Sequence, residues 1–166
     1  MFYIFAKKNK MARPENNRMV HEPPLFSGFK PEGIRGGILD DVSMTLDEFE
    51  AFRLADHMGM SHEEAAGEMG ISRSVFSRLI ERSRKKIAEL IIGGKRLIIA
   101  GGNIHFRNNI LRCNSCGHMF KTSFETTVNT CPSCGSESLI NLAGGFGHGQ
   151  CCRGEGHRHR HGKKNH

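Results

Sequence analysis

Ser61-His62-Glu63-Glu64-Ala65-Ala66-Gly67-Glu68-Met69-Gly70-Ile71-Ser72-Arg73-Ser74-Val75-Phe76-Ser77-Arg78 carries two helix starts with a glycine stop between them. Ser61 followed three residues later by Glu64 is a capping box, in which each side chain satisfies a backbone amide that the first helical turn leaves open. The helix it starts is short, because Gly70 ends it; glycine enters the left-handed conformation at little steric cost. Ser72 then caps the next helix. Ala66, four residues before Gly70, is small where the two helices would touch, and Ile71, Phe76 and Leu79 are inward anchors for the second. A small residue, a turn glycine and apolar anchors at these offsets predict a helix-turn-helix.

Upstream, Thr45-Leu46-Asp47-Glu48 is another capping box. The helix that follows carries Phe49, Phe52 and the 55/56/58 turn until Gly59 stops it. The third helix runs from Ser72 to about Ile92 with Phe76, Leu79, Ile80, Ile87 and Leu90 as its buried side, and Gly93-Gly94 ends it. With those faces fixed, Arg73, Ser74, Ser77 and Arg78 form its outward first turns, hydroxyls and guanidiniums suited to base edges and phosphates. Arg82, Lys85 and Lys86 follow toward the groove wall, with Arg84 beside them. The plainer alternative is a helical hairpin with a basic surface.

Charge along the chain has the same sense. Residues 37–70 hold one Arg and nine acids, and residues 71–112 hold ten Lys/Arg and two acids, within a net charge of +7 over 166 residues. That contrast predicts a surface divided by sign, with a basic face of the kind a phosphate backbone selects. No stretch is long and apolar enough to span a bilayer. The Phe2–Ala6 run is too short for a signal-peptide core and has its basic residues on the wrong side. The expected location is cytoplasmic, where six cysteines stay reduced and favour metal over disulfides.

Cys113-x2-Cys116 and Cys131-x2-Cys134 are the second informative pattern. Each C-x2-C makes a knuckle presenting two thiolates to one ion, and two knuckles complete a tetrahedron, which predicts zinc. Gly117 and Gly135 follow the second cysteine of each pair, where the turn favours positive φ. Phe120, Phe124 and Val128 are the few apolar contacts of a three-stranded module that resembles zinc ribbons. A redox C-x2-C would need no second pair and lacks its usual βαβ setting; an iron–sulfur cluster is the remaining alternative. His118 is either a bystander or a neighbour that orients a ligand, and a closed four-cysteine site leaves no position for catalysis. The module's role is open between a stabiliser, a partner surface and a DNA contact through Arg107, Arg112 and Lys121.

Other segments complete the organisation. Residues 1–10 read as a non-native or disordered extension ahead of a fresh start at Met11-Ala12-Arg13-Pro14. Residues 11–44, rich in Pro and Gly, read as an extended arm whose Phe26 and Phe29 dock on a neighbouring surface, or whose Arg13, Arg18, Lys30 and Arg35 touch DNA. The helix-turn-helix domain occupies 45–95. Residues 96–143 hold a β-hairpin, Leu97–Ile99 and Ile104–Leu111 around Gly101-Gly102-Asn103, followed by the cysteine module. Residues 144–166 read as a disordered Gly/His/Cys-rich basic tail. In the tail, Cys151, Cys152, His157, His159 and His161 are a candidate second metal set.

Thr45–Ile87 resembles the region-four helix-turn-helix of bacterial sigma factors. Residues 11–102 resemble more closely an uncharacterised prokaryotic family of proteins, domain of unknown function 134. That resemblance rests on Met11-Ala12-Arg13-Pro14, Arg18, Phe29-Lys30-Pro31, Asp47 to Asp56, Glu64-Ala65-Ala66, Met69 to Arg73, and Gly101-Gly102, with Phe52 where Leu is expected. It implies DNA binding, without sigma activity.

The expected fold is therefore a mainly α N-terminal domain of three helices plus a small β zinc ribbon. The expected function is a sequence-specific DNA-binding transcriptional regulator, not an enzyme, since no Walker loop, G-x-S-x-G, H-E-x-x-H or dinucleotide fingerprint occurs. Its expected partners are double-stranded DNA and a second copy of the chain, with neither membrane nor small-molecule substrate. The alternative is a metal-handling or cofactor-assembly accessory protein that uses the tail and the cysteine module.

Overall fold

The computed structural model describes residues 17–148. The extension at 1–10, Arg13 and the tail set Cys151, Cys152, His157, His159 and His161 lie outside the described residues.

The chain runs β1 (Arg18–Val20), β2 (Gly28–Phe29), a 3-10 turn (Gly36–Ile38), β3 (Asp41–Met44), α1 (Leu46–Phe52), α2 (His62–Met69) and α3 (Arg73–Ile92). It continues through β4 (Arg96–Ile99), β5 (Ile104–Phe106), β6 (Asn108–Cys113), β7 (Met119–Ser123), β8 (Leu139–Asn141) and α4 (Leu142–Gly145). Helices and small sheets thus share the described residues, and the mainly helical expectation fits only the middle of the chain.

The helices start and stop where local chemistry directs. The Glu48 carboxylate accepts the Thr45 amide at 3.0 Å at the start of α1. Ser61 Oγ accepts the Glu64 amide at 3.3 Å, and the Glu64 carboxylate accepts the Ser61 amide at 3.0 Å. α1 runs on into a π-helical turn, Arg53–His57, in which the Met58 amide reaches back to the Arg53 carbonyl. Gly59, at φ 71°, ends it. The wider turn moves the inward positions off the expected stripe. Leu46, Ala51 and Leu54 are the fully buried apolar residues of this segment, whereas Phe49 and Phe52 are half-buried and Met58 is exposed.

Strand pairing departs from the expected arrangement. β4 and β5 do not form a hairpin: β4 lies between β2 and β3, and β5 pairs in parallel with β1. At the intended turn the Gly101 carbonyl accepts the Leu46 amide and the Asn103 carbonyl accepts the Arg18 amide. Gly102, at φ 100°, lies so close to Asp47 that an added Cβ would sit 3.0 Å from its Oδ1. The backbone between β4 and β5 is thus spent on α1 and β1. For the same reason residues 17–44, the described part of the expected arm, are not a free arm. Val20, Val42 and Met44 are buried with Leu46, Leu97, Ile99, Ile104, Phe106 and Ala143 in a core under the sheets. Phe26 and Phe29 stay half-exposed and meet each other edge to face, 6.5 Å between rings.

A separate helical core joins Ala51, Leu54, Ala65, Ala66, Met69, Phe76, Leu79 and Ile80. α3 serves both. Its first half fills the helical core, and Ile87 and Leu90 pack on the sheet core.

Candidate nucleic-acid interface and metal centre

The turn between α2 and α3 is set by Gly70, at φ 66° and ψ 32°. The Ile71 amide bonds the Ala66 carbonyl at 3.0 Å, closing the end of α2, and Ser72 Oγ then accepts the Val75 amide to begin α3. Replacing Gly70 by Ala is expected to cost about 1–2 kcal/mol, since an L-residue is held left-handed there. An unchanged midpoint in urea denaturation would show that the turn relaxes freely. Space is not the obstacle, the nearest atom to an added Cβ being Met19 Cγ at 4.0 Å.

The turn fixes which side of α3 meets water. The Arg73 side chain is 70% exposed, its only carboxylate neighbour among the described residues being Glu63 at 3.9 Å. Ser74 is exposed, and Arg78 lies along the helix with Nε donating to the Ser74 carbonyl at 3.3 Å. Lys85 is exposed too, and among the described residues neither it nor Arg78 pairs with an acid. Ser77 departs from the expected reading face: it is half-buried, its hydroxyl 3.1 Å from His62 Nδ1, and so ties α3 to the start of α2.

Farther along α3, cations placed on the groove wall by sequence reasoning are drawn toward the acidic block. Arg82, 59% exposed, sits 3.6 Å from the Glu48 carboxylate, and Lys86 Nζ donates to the same group at 2.5 Å. Arg84 clamps Asp56 through two bonds of 3.0 and 2.7 Å. The Arg84 hydrogen bond holds Asp56 below the usual carboxylate range.

Three members of the acidic block are buried: Asp47, Glu48 and Glu50. Spacing gave no warning, since an acid in a helical first turn reads equally well as a solvated dipole partner. Asp47 Oδ2 accepts from Arg18, while Oδ1 finds no hydrogen-bond partner among the described residues. Glu50, fully buried, accepts from Arg53 Nε and Nη2 at 2.8 Å each, from the His21 amide at 3.0 Å, and meets His21 Nδ1 at 2.8 Å. Burial pushes the Glu50 carboxyl upward, but Arg53 and His21 together hold it below the usual range. The expected surface divided by sign is in this way partly folded inward. A polar pocket of about 240 Å³ beside Asp47 sets Arg18 and Arg82 against Asp47 and Glu48, so its charges cancel.

Two of the basic residues near the cysteines are also engaged. Arg107 Nη1 and Nη2 bond the Glu68 carboxylate and carbonyl at 2.6 Å each, gripping the last turn of α2, and Lys121 pairs with Glu22 at 2.9 Å. Lys30 donates to the Ile34 carbonyl, so neither it nor Arg18 forms a free basic arm.

Cys113, Cys116, Cys131 and Cys134 converge, all four Sγ atoms lying within 4.8 Å of one another. Each knuckle closes by one bond, Gly117 amide to Cys113 carbonyl at 3.0 Å and Gly135 amide to Cys131 carbonyl at 2.8 Å. Gly117 and Gly135 have φ of 74° and 73°, as the spacing predicts. β6 ends on Cys113 at the centre of the antiparallel sheet β7-β6-β8. The Sγ separations of 3.6 Å (Cys113–Cys134) and 3.7 Å (Cys116–Cys131) leave room for one metal ion. The amides of Cys116 and Ser115 draw the Cys113 thiol down to about 6, and the crowded sulfurs push Cys134 up to about 12 despite the Ser136 amide beside it. His118 stacks on Phe120 and is not among the four.

A family model described as "Protein of unknown function DUF134" matches residues 7–107. A UPF0251 protein of Chloroherpeton thalassium is 43% identical over 132 residues, 80% of this chain and 87% of that protein. A UPF0251 protein of Pelotomaculum thermopropionicum is 42% identical over 76% of this chain and 95% of that protein. One of Moorella thermoacetica is 35% identical over 92% of this chain and 96% of that protein, a span that includes the cysteine region beyond the family model. No solved structure matches the chain. Among the described residues no helix is long and apolar enough to cross a membrane.

Proposed function

Since the chain belongs to the DUF134 family, also called UPF0251, we propose for this member that it is a sequence-specific DNA-binding protein and transcriptional regulator, not an enzyme. One observation carries the reading. The αL turn at Gly70 joins two short-linked helices so that the second offers Arg73, Ser74 and Arg78 to solvent on one side while Phe76, Leu79 and Ile80 are buried on the other. This is the arrangement by which a helix-turn-helix lays its second helix in the major groove. Phosphate contacts fall to Lys85 and to the loosely held Arg82.

In this reading the four thiols hold zinc in a structural role. A tetrahedron with Zn–S of about 2.3 Å has S–S edges of about 3.8 Å, close to the two separations above. Four sulfurs close the coordination sphere, so the metal would organise the ribbon around it. A cytoplasm would keep the thiols reduced.

Binding to genomic fragments, followed by fluorescence anisotropy across a salt series, tests this. Three to four available cations per chain should give a slope of log K against log salt of about −3 per chain. Arg73→Ala with Arg78→Ala should weaken specific binding by tenfold or more, each lost base contact being worth about 1–3 kcal/mol, with stability unaltered. If the double variant binds as wild type does, the reading face is wrong. A salt-independent interaction would favour a metal-handling accessory role for the tail and the cysteine module instead.

A further inference from the structure

Six large apolar side chains on three neighbouring segments stand in water. Ile91 and Ile92, at the end of α3, are 72% and 85% exposed, and Ile38 is 77% exposed, with Phe26, Phe29 and Ile34 about half so. The backbone brings them together around the start of β4. α3 passes through Gly93-Gly94 to Arg96, whose amide bonds the Asp40 carbonyl and whose guanidinium lies over Gly36 and clasps Asp41. Phe29 is paired with Leu97, the next residue of β4, and edges onto Phe26, while Lys30 holds the Ile34 carbonyl.

Exposed apolar residues scattered singly carry no message, but these six sit on segments that meet at the start of β4. Their summed exposed area is on the order of 700 Å², near the ~800 Å² each partner gives to a standard interface. The charge around them is balanced. Segments 26–41 and 89–96 hold four basic and four acidic residues, so two such surfaces can meet without repulsion. On α3, Arg78 and Lys85 are exposed with no acid partner among the described residues, and Arg73 meets only Glu63 at 3.9 Å, so this face attracts a polyanion and repels a second copy. Among the described residues β2 has no strand on its outer edge, a feature that invites another chain.

We propose that this apolar surface is the one on which a second copy of the chain docks, giving a two-fold dimer with the α3 N-termini turned away from the contact. A two-fold contact uses the same patch twice and must complement itself, which an apolar centre in a neutral rim does. Arg73 and Ile92 stand nineteen residues apart on one helix, about 29 Å, so the contact leaves the first turns of α3 uncovered. The association is independent of DNA; only its consequence, two readers on paired half-sites, rests on the function proposed above.

Sedimentation equilibrium of the full chain without DNA tests it. Wild type should dimerise in the micromolar range. Ile91→Glu with Ile92→Glu should raise the dissociation constant at least a hundredfold, with the circular dichroism of the monomer unchanged because both side chains are already in water. Ile38→Glu, on a different segment, should act in the same direction. Arg73→Ala should dimerise normally, which separates a failure of this surface from a failure of the DNA reading. A wild-type chain that stays monomeric to about 100 μM, where even weak specific contacts assemble, overturns the proposal. A dimer indifferent to both variants does the same.

Discussion

Replacing Cys113 by Ser is expected to abolish metal binding at the four-thiol cluster and to unfold the sheet around it. β7 and β8 bury little apolar surface of their own, their residues being half-buried or exposed. Small sheets without a core of their own commonly need a metal, and in small zinc modules metal binding supplies about 10–16 kcal/mol of folding free energy. Cys113 is the cluster cysteine that also ends β6, the strand both neighbours pair with, so its loss reaches the whole sheet. The damage should extend further. Asn109, buried on β6, accepts the Ala143 amide at 3.0 Å, and Ala143 belongs to the sheet core. Elemental analysis of the purified variant and proteolysis between residues 113 and 141 are the measurements. Full metal content in Cys113→Ser would remove the cluster from consideration.

Glu50→Ala should be the most damaging single change in the helical half, at about 3–5 kcal/mol, the usual penalty for removing one partner of a buried ion pair. It deprives Arg53 of its fork and leaves the His21 amide without an acceptor. Against a total stability of some 5–15 kcal/mol, that leaves a marginal protein. Acid should act through the same group. The folded-state value of Glu50 lies below its ordinary one, so this stabilisation is fully present above the ordinary carboxylate range and is lost as pH falls through the lowered value. Urea titrations from neutral pH downward should show wild type losing stability in acid. Glu50→Gln should start lower and fall less. If the two lines run parallel, Glu50 does not couple proton uptake to unfolding.

Much of the middle of the chain was legible because its signals are local. Capping boxes at Thr45 and Ser61, the left-handed Gly59 and Gly70, and the knuckle glycines at 117 and 135 each act within four residues. What escaped is distant in sequence. β1 and β5 pair residues 86 positions apart, Arg18 with Ile104, through strands of three residues that carry no periodicity of their own. Gly101-Gly102-Asn103 has hairpin composition, yet its carbonyls are taken by Leu46 and Arg18. The same limit hid Ser77, whose partner His62 lies on the preceding helix, and the inward acids. Asp47, Glu48 and Glu50 look like surface residues until Arg18, Lys86 and Arg53 are seen to meet them. Within Asp47–Phe52 the one available hint was three acids crowded among apolar neighbours.

The parallel pairing of β3 with β4 and of β1 with β5 also sets a timetable for the chain as it is made. Val20, Val42 and Met44 leave the ribosome with nothing to cover them, since their partners, Leu97 through Phe106, come after the three helices. At about 5–20 residues per second, the sixty-odd residues between Met44 and Phe106 take on the order of several seconds. The helical core, complete once Ile80 emerges, can condense during that interval and hold the earlier segment nearby. Newborn chains halted between residues 80 and 106 should therefore display the strand residues to protease and chaperone, and chains carried past Phe106 should withdraw them.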